Sequence, residues 1–451
     1  MSQGPLPGFR DFYPQELAER AYIMRVWRDV AARYAFIEYD GPPLEALELY
    51  TRKSGDEIVG QLYSFEDKGG RQVALRPEMT PTVARMVAAR ANAMRKPVRW
   101  FSTPQLFRYE RQQKGRLREH FQLNVDIFGE PGIAADAELL AVALDMLRAF
   151  GLGPDDVRAR VSDRRLLHAL LDHIGVGAGA HGAVFAVIDK IERAPREVSR
   201  EKLAAAGVSV AASERLFALL AMRDVDGLRR AVGDGAGAPS ERLEELDRYF
   251  EHLRALDVAE YAQLDLGIVR GLAYYTGVVF ELFDARGEFR ALAGGGRYDT
   301  LLEALGGPAL PALGFGMGDV VLGELLRARG LMHADLAGPE LWVAGPTGEQ
   351  DMPAVMRAAT ALRRGGRRVE YALRPQQLAK QFKAATAAGA RRVVIVPGAL
   401  REGEGSADYA VRDLATGEQA TYPSIDAVVR ALAPDAPDAH HEAEDGTWTN
   451  G

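Results

Sequence analysis

The 451-residue sequence contains no cysteine. Disulfide bonds, cysteine nucleophiles and thiolate-bound metals are therefore excluded, and the composition fits a reducing compartment such as the cytoplasm. The eight histidines are scattered along the chain, and the pair His440–His441 lies in a polar tail. We therefore predict a cytoplasmic protein without a resident metal ion.

Long apolar runs are also missing, so no segment is predicted to cross a membrane and no membrane partner is expected. Residues 1–20 mix proline, arginine and acidic side chains, which does not fit a signal peptide. The net charge is −7, with 47% hydrophobic and 26% charged residues. This is the composition of an acidic globular protein without general affinity for polyanions, long enough for two or three domains.

Against this acidic background, positive charge is concentrated between Phe107 and Gln122. Five basic residues fall within eleven positions there: Arg108, Arg111, Lys114, Arg116 and Arg118. Apolar residues on both sides predict two strands, with the turn at Lys114–Gly115. Arginines on a rigid hairpin suit phosphate, because the guanidinium group matches phosphate oxygens in a bidentate way. The alternative is a solvated charged ribbon.

A second polar segment, Ile268–Gly277, carries Arg270 followed by the tyrosines Tyr274 and Tyr275 at a predicted strand end. One interpretation is a turn whose tyrosines belong to the core. The other is that the arginine stabilises charge at a reacting phosphorus atom. Taken alone, the segment is compatible with both.

Glycine and proline positions predict several local structures. A hairpin is predicted from Leu62–Phe65 and Val73–Leu75, and a helix is predicted to start at Thr80-Pro81 with Thr80 as its N-cap. The glycine clusters at 294–296 and 314–318 are interpreted as loops. They do not match a dinucleotide-binding fingerprint, so close approach of the backbone to a strand or a nucleotide is the interpretation.

The C-terminal part of the chain differs from the rest in its predicted structure and in its charge. From 340 onwards predicted strands and helices alternate, which indicates a largely parallel sheet with helices on its faces. Between residues 340 and 400 ten basic residues outweigh four acidic ones. A basic face on a small α/β unit of an acidic protein suggests nucleic-acid binding.

Together these segments resemble the histidyl-tRNA synthetases, a family of class II aminoacyl-tRNA synthetases, over nearly all of residues 5–432. The resemblance rests on the N-terminal opening Pro7–Pro14, a motif 1-like segment at 15–43, a motif 2-like hairpin at Phe107–Gln122, the histidine-specific segment Val269–Thr276, the approach to motif 3 at 297–318 and an anticodon-domain segment at Leu373–Arg391.

The fold implied by this resemblance is α/β and multidomain. It has a class II synthetase-type antiparallel sheet flanked by helices, a helical insertion and a C-terminal α/β anticodon-binding-like domain. The implied bounds are 1–158 and 259–330 for the two parts of the catalytic core, 159–258 for the insertion, 331–339 for a linker, 340–432 for the anticodon-binding-like domain and 433–451 for a disordered tail.

The activity implied by the resemblance is a two-step ligation. Histidine attacks the α-phosphorus of ATP, giving histidyl-adenylate and pyrophosphate, and the acyl group then passes to the 3′ end of tRNA(His). Mg²⁺ would accompany ATP, and the chain would work as a homodimer. No editing domain is expected, because a buried polar pocket rejects amino acids that lack matching hydrogen bonds.

The resemblance also implies roles for single residues. Arg108 and Arg270 would hold the α-phosphate as catalytic cations, with Glu110 on the adenine side. Arg111 and Gln113 would reach the tRNA acceptor end. The histidine-binding residues would be Glu78, Met79, Thr80, Gln122, Asp126, Tyr274 and Tyr275; among these, Glu78 and Gln122 would hold the ammonium group, and Asp126 with the tyrosines would read the imidazole.

Three positions depart from the family pattern. Ala273 replaces an aspartate, Asp126 replaces the more usual glutamate, and Val321 stands where motif 3 has an ATP-contacting arginine. Arg297 is one arginine that could compensate for Val321. The alternatives are a non-charging paralogue that binds histidine as a regulatory subunit, for example of ATP phosphoribosyltransferase, or a class II synthetase of another specificity.

Overall fold

The computed structural model describes residues 4–51, 59–110, 115–233, 237–269, 274–334, 338–399 and 408–433. The chain divides into two compact units, Met1–Asp335 and Leu336–Gly451, each of which is described by itself. Among the described helices, none combines the length and the apolar character that crossing a bilayer requires.

The first unit mixes helices and strands. In chain order its elements are α1 Pro14–Arg33, β1 Ile37–Glu38, β2 Leu44–Ala46, α2 Leu47–Thr51, β3 Ser64–Glu66, β4 Gln72–Leu75, α3 Thr80–Arg90, β5 Val98–Ser102, β6 Gln105–Phe107, β7 Glu119–Phe128, α4 Ile133–Arg148, β8 Val157–Asp163, α5 Arg164–His173, α6 His181–Ile188, α7 Arg196–Ala205, α8 Val210–Leu220, α9 Val225–Val232, α10 Ala238–Ala255, β9 Ala262–Leu264, β10 Val278–Asp284, β11 Ala293–Arg297, α11 Leu301–Ala304, β12 Ala312–Gly318 and α12 Asp319–Ala328.

Nine of the described strands form one large sheet in the order β1–β5–β7–β12–β11–β10–β8–β9, with β6 paired to the first residues of β7. The central pairs are antiparallel, while the two edge pairs, β1 with β5 and β8 with β9, are parallel. The predicted antiparallel sheet flanked by helices is therefore confirmed. Both halves of the predicted basic hairpin are present, as β6 and β7.

The helix α4 covers the centre of this sheet, where it contacts β7, β11 and β12. Eleven of its sixteen residues are buried, most of them alanine and leucine. Burying a leucine or valine side chain stabilises the fold by about 1.5–3 kcal/mol, so this helix is a main source of the sheet's rigidity. On the same core, α1 contributes the fully buried Trp27.

The glycine clusters predicted as loops are strands: 294–296 lies in β11 and 314–318 in β12, and the two strands pair. A Cβ on Gly295 would stand 2.5 Å from the carbonyl oxygen of Gly314 and 2.4 Å from Phe315 Cβ. The loop prediction was wrong because glycine in a strand marks a close approach that outweighs its preference for turns. The predicted close approach of the backbone to another strand is confirmed.

Between 159 and 258 most residues are helical, in α5 to α10, but the strand β8 reaches into this range up to Asp163 and lies between β10 and β9. The change from strand to helix is abrupt because Asp163 caps α5. Its carboxylate accepts a hydrogen bond from the backbone N–H of Leu166 at 2.9 Å, which satisfies one of the N–H groups at the helix start.

The predicted N-cap role of Thr80 was wrong. The helix α3 begins at Thr80 itself, so the N-cap position belongs to Met79, which makes no side-chain cap. Pro81 lies in the first turn, where its missing N–H costs nothing. The predicted hairpin upstream is present as β3 and β4, within the three-stranded antiparallel sheet β2–β4–β3.

The second unit consists of β13 Leu341–Ala344, α13 Met352–Arg364, β14 Val369–Tyr371, α14 Leu378–Ala387, β15 Arg392–Ile395, β16 Tyr409–Asp413, β17 Gln419–Tyr422 and α15 Ile425–Ala431. Its sheet has the order β14–β13–β15–β16–β17. The first three strands are parallel, as predicted from the alternation of strands and helices, but β16 and β17 are antiparallel. The prediction of a largely parallel sheet missed these last two strands.

Candidate active site

A cavity of about 200 Å³ is lined by the basic hairpin and the glycine-containing strands of the large sheet. The hairpin contributes Arg108, Glu110, Arg116 and Gln122 to its walls, and Gly294 and Gly316 lie on the adjoining strands. Residues that were far apart in the sequence therefore line one pocket, where backbone peptide groups rather than side chains form part of the surface.

Gln122 and Asp126 lie on the same face of β7, because alternate residues of a strand share a face. In the neighbouring strand β12, Gly318 pairs with Gln122 and Gly314 pairs with Asp126. A Cβ on Gly314 would stand 2.3 Å from Asp126 Oδ1, which is closer than any real contact. A Cβ on Gly316 would stand 2.8 Å from Gln122 Cδ. The missing side chains of Gly314 and Gly316 therefore leave the space that Asp126 and Gln122 occupy.

Asp126 is 3% exposed and lies on the same face of β7 as Gln122, which lines the cavity. The hydroxyl of Tyr298 donates a hydrogen bond to its Oδ1. Its Oδ2 is buried and has no hydrogen-bond partner among the described residues. Buried acceptors are normally satisfied, so this oxygen is suited to accept an N–H from a bound ligand.

Burial raises the pKa of the Asp126 carboxyl from 3.8 to about 7, and the hydrogen bond from Tyr298 opposes this rise. Taking a carboxylate out of water disfavours its charged form, and among the described residues no cation compensates for the hydration that Asp126 loses. A ligand that donates an N–H, or that carries a positive charge, would favour the ionised carboxylate. An imidazole can do both.

The tyrosines predicted as site residues form a cluster with Tyr298. The hydroxyl of Tyr274 donates a hydrogen bond to Glu78 Oε2 at 3.2 Å, and the Tyr274 ring lies 5.1 Å from that of Tyr275 and 5.8 Å from that of Tyr298. Hydrogen bonds and ring contacts therefore connect Glu78 with Asp126 through Tyr274 and Tyr298.

Met79 and Thr80 follow Glu78 directly. Met79 is fully buried, and its sulfur lies 3.9 Å from the guanidinium nitrogen of Arg76, whereas Thr80 is partly exposed. Of these two side chains, that of Thr80 is therefore the more accessible to a small ligand, and Met79 serves the core.

The phosphate-binding candidates lie on the hairpin. Arg108 donates from Nε to the carbonyl oxygen of Pro77 at 2.9 Å, which fixes the guanidinium group beside the cavity. Glu110 forms an ion pair of 3.0 Å with Arg116. Holding a guanidinium in place before a ligand arrives reduces the entropy lost when it binds phosphate.

Sequence reasoning missed His120 and Tyr298. His120 lines the cavity, and burial, with smaller contributions from the positive charges of Arg108 and Arg10, lowers its pKa to about 3. It therefore presents a neutral imidazole ring at neutral pH. The missed signal was the strand period, since His120 shares its face of β7 with Gln122 and Asp126. Tyr298 has no such pattern and follows only from the pairing of β11 with β12.

The N-terminal segment supports the hairpin from outside the cavity. Arg10 donates to Glu119 at 2.6 Å and to Asp319 at 3.0 Å. Asp319 also accepts from the backbone N–H of Phe121 at 2.9 Å, and the backbone N–H of Arg118 donates to Gly8 O. These contacts join the N-terminal segment, β7 and α12 behind the pocket.

Arg297, the arginine suggested as a substitute at Val321, does not have that role. Its guanidinium group is 2% exposed, pairs with Asp136 at 2.5 Å and also donates to Asp299 and to backbone carbonyls of residues 130 and 132. It fastens α4 to β11 instead. The predicted site residues Arg270, Arg111 and Gln113, and the departure at Ala273, lie outside the described residues.

We expect two glycine substitutions to separate substrate binding from folding. In Gly316→Ala the new Cβ would stand 2.8–3.0 Å from the amide group of Gln122, which can turn aside, so the KM for the amino acid should rise about tenfold, as for one lost hydrogen bond. In Gly295→Ala the Cβ meets backbone atoms, so stability should fall by about 2–3 kcal/mol. Thermal unfolding and steady-state kinetics measure the two effects. Equal losses of stability would contradict this assignment.

We also expect Asp126 to make stability depend on pH. Between its ordinary pKa of 3.8 and its native value of about 7, the folded chain holds a proton that the unfolded chain has lost. The contribution of Asp126 to stability is therefore complete below pH 4 and decreases as the pH rises to 7, by up to roughly 1.4 kcal/mol per pH unit. The facing groups Tyr298 and Tyr39 have raised pKa values and do not titrate in this range.

The test compares the wild type with Asp126→Asn, whose amide does not titrate. The free energy of unfolding of the variant minus that of the wild type, measured in urea, should rise between pH 4 and pH 7 and stay constant above pH 7. Other titrating groups cancel in this difference. A difference that is independent of pH would contradict a buried, protonated Asp126.

Comparison with known proteins places this geometry in a family. The family model described as histidyl-tRNA synthetase matches residues 8–318. A histidine–tRNA ligase of Opitutus terrae is 46% identical over 393 residues, covering 86% of this chain and 90% of that protein. A chloroplastic/mitochondrial histidine–tRNA ligase of Arabidopsis thaliana is 40% identical over 416 residues, covering 92% of this chain and 84% of the relative.

The solved structures agree on the fold. The crystal structure of histidyl-tRNA synthetase from Nostoc sp. PCC 7120 superposes with a TM-score of 0.78 at 22% identity, covering 96% of this chain and all of the other. The sequence matches and the arrangement of β7, β11 and β12 around one polar pocket lead to the same result: the chain belongs to the histidyl-tRNA synthetase family.

Proposed function

We propose that the cavity beside β7 and β12 is where this chain joins histidine to ATP. As a member of its family, the chain is an ATP-using aminoacyl-tRNA ligase of histidine specificity. The observation that supports the placement is Asp126, whose buried Oδ2 has no hydrogen-bond partner among the described residues. Asp126 shares its face of β7 with Gln122, which lines the cavity together with Arg108 and Arg116.

Histidine would lie with its imidazole towards Asp126. An imidazole N–H donates to Asp126 Oδ2, while Tyr298 holds the other carboxylate oxygen in place. The ammonium group of histidine is assigned to Glu78 and Gln122, and Tyr274 orients Glu78 by donating to it. Tyr275 and Thr80 complete this part of the site, and Met79 contributes through its main chain.

The first step is an in-line substitution at phosphorus. A carboxylate oxygen of histidine forms a bond to the α-phosphorus of ATP, and the bond from that phosphorus to the bridging oxygen breaks, so that pyrophosphate leaves with the electron pair. Arg108 would stabilise the charge that develops on the α-phosphate oxygens. Arg270 is assigned the same role from the histidine-specific segment, and Glu110 is assigned to the adenine side.

Mg²⁺ would enter this step with ATP, where it neutralises phosphate charge. Glu110 is the one carboxylate among the described residues that line the cavity, and Arg116 already pairs with it. The protein therefore offers a metal few ligands beyond the phosphate oxygens, and arginines provide most of the positive charge around the nucleotide.

In the second step the 3′-terminal ribose hydroxyl of tRNA(His) attacks the carbonyl carbon of the adenylate, and AMP leaves. Arg111 and Gln113 are proposed to contact the acceptor end, and the basic segment 340–400 of the second unit to contact the anticodon region. The homodimer, the cytoplasmic location and the domain bounds predicted from the sequence remain part of this proposal.

The test is ATP–pyrophosphate exchange with each of the twenty amino acids. We expect exchange with histidine alone. Exchange with a different amino acid would support another class II specificity. Histidine binding without exchange, together with copurification of a phosphoribosyltransferase, would support the regulatory-subunit alternative, whereas a homodimer of this chain alone on gel filtration would count against it.

A further inference from the structure

The turn between β10 and β11 carries an arginine at the mouth of the cavity. Arg290 is exposed, and the next four residues, 291–294, all line the cavity. The chain therefore leads directly from Arg290 into the pocket wall. Sequence reasoning assigned no role to this arginine.

Arg290 and Val321 approach the same point. A Cβ built on Gly115, at the turn of the basic hairpin, would lie 3.4 Å from Val321 Cγ2 and 3.7 Å from Arg290 Cδ. Val321 ends there as an apolar branch. The side chain of Arg290 continues past Cδ to its guanidinium group. The turn between β10 and β11 therefore brings a positive charge to this part of the pocket, where Val321 of α12 brings none.

The electrostatic environment confirms that Arg290 shares a charge cluster with the hairpin. Its pKa is lowered by burial and by the positive charges of Arg116 and Arg193, while Glu110 opposes this effect. Among the described residues, Arg108 and Arg116 line the cavity with Glu110 as its one carboxylate, and Arg290 directly precedes the lining residue Ala291. Such an excess of positive charge is relieved when an anion binds.

We propose that Arg290 binds the outer phosphates of ATP, in place of the arginine that position 321 lacks. This inference rests on the proposed placement of ATP in the cavity. Arg108 lines the cavity together with Gln122 and is assigned the α-phosphate. Arg290 is exposed beside the lining residues 291–294, and we place the β- and γ-phosphates and the departing pyrophosphate on this exposed side. A guanidinium group there would contact two phosphate oxygens at once.

The test is Arg290→Ala in ATP–pyrophosphate exchange without tRNA. The KM for ATP should rise about 10- to 100-fold, as expected for a lost charge-assisted hydrogen bond, while the KM for histidine stays within a factor of two. Arg290→Lys should recover part of the loss, because it keeps the charge but not the bidentate geometry. Arg286→Ala, an exposed arginine of the same turn, is the matched control and should behave as the wild type.

A double variant tests the shared position. Arg290→Ala with Val321→Arg should recover much of the affinity for ATP, since both side chains reach the same point above Gly115. If the double variant had the same raised KM for ATP as Arg290→Ala, an arginine at position 321 could not replace Arg290, and the inference that the two positions are equivalent would be wrong.

The remaining outcomes distinguish this inference from the placement of ATP. Unchanged KM for ATP in Arg290→Ala, with exchange lost in Arg108→Ala, would refute the role of Arg290 but keep the pocket. Exchange retained in Arg108→Ala would refute the pocket itself. In an aminoacylation assay, a rise in the KM for tRNA with an unchanged KM for ATP would show that Arg290 contacts a phosphodiester of the acceptor end, which also overturns the proposal.

Discussion

Replacing Arg108 by alanine should reduce ATP–pyrophosphate exchange by at least about 1,000-fold, a loss of the size seen when fixed groups that stabilise transition-state charge are removed. The guanidinium group is already fixed by its hydrogen bond to Pro77 O, at 2.9 Å, before any ligand binds. Val321 contributes no charge to the same cavity. Arg108 therefore provides a large share of the positive charge that meets the α-phosphate.

Arg71→Ala is a suitable control, because Arg71 is an exposed arginine that pairs only locally with Asp67 among the described residues. The control should keep full exchange activity. Both variants should unfold at nearly the wild-type temperature. The loss of exchange activity in Arg108→Ala would then come from the missing guanidinium group and not from unfolding. Substantial exchange in a folded Arg108→Ala variant would mean that the α-phosphate lies elsewhere.

Replacing Asp126 by alanine should lower kcat/KM for histidine by about 100- to 1,000-fold. A site that recognises a polar substrate through a buried hydrogen bond loses most of its activity when the protein's side of that hydrogen bond is removed. The variant deletes the acceptor for the imidazole and leaves the hydroxyl of Tyr298 without its partner. Binding is measured separately from chemistry by thermal shift, since a ligand that binds the folded state raises the unfolding temperature by an amount that grows with the ratio of its concentration to Kd.

In this variant ATP should still stabilise the protein, whereas histidine should not. Tyr298→Phe is the matched comparison: it keeps the ring contacts with Tyr274 and removes only the hydroxyl, so a loss of about tenfold is expected. If histidine stabilised Asp126→Ala as strongly as the wild type, the imidazole would not bind at Asp126.

Much of the pocket could be predicted from local patterns. The basic hairpin followed from apolar flanks around a Lys-Gly turn, and its strands are present as β6 and β7. The period of a strand then places Gln122 and Asp126 on one face. Such predictions succeed because hairpins and strand faces depend on residues that are near one another in the sequence.

The rest depends on contacts between distant segments. The sequence predicts a loop at Gly295, because the contacts of Gly295 with Gly314 and Phe315 are visible only in the structure. Arg297 and Arg290 look alike in the sequence, yet one is buried against Asp136 and the other stands at the mouth of the cavity. The structural role of Arg297 and the proposed ATP-binding role of Arg290 can be distinguished only once the pairing order of β10, β11 and β12 is known.

The order of strands in the large sheet also has a consequence for biosynthesis. The strand β7 is complete at Phe128, but its partner β12 begins at Ala312. Chains emerge from the ribosome N-terminus first. While residues 129–311 are being synthesised, the buried residues of β7 therefore lack one neighbour and present an open edge that other chains could pair with. Nascent chains stalled before Ala312 should consequently depend on chaperones, and the same chains stalled after Gly318 much less so.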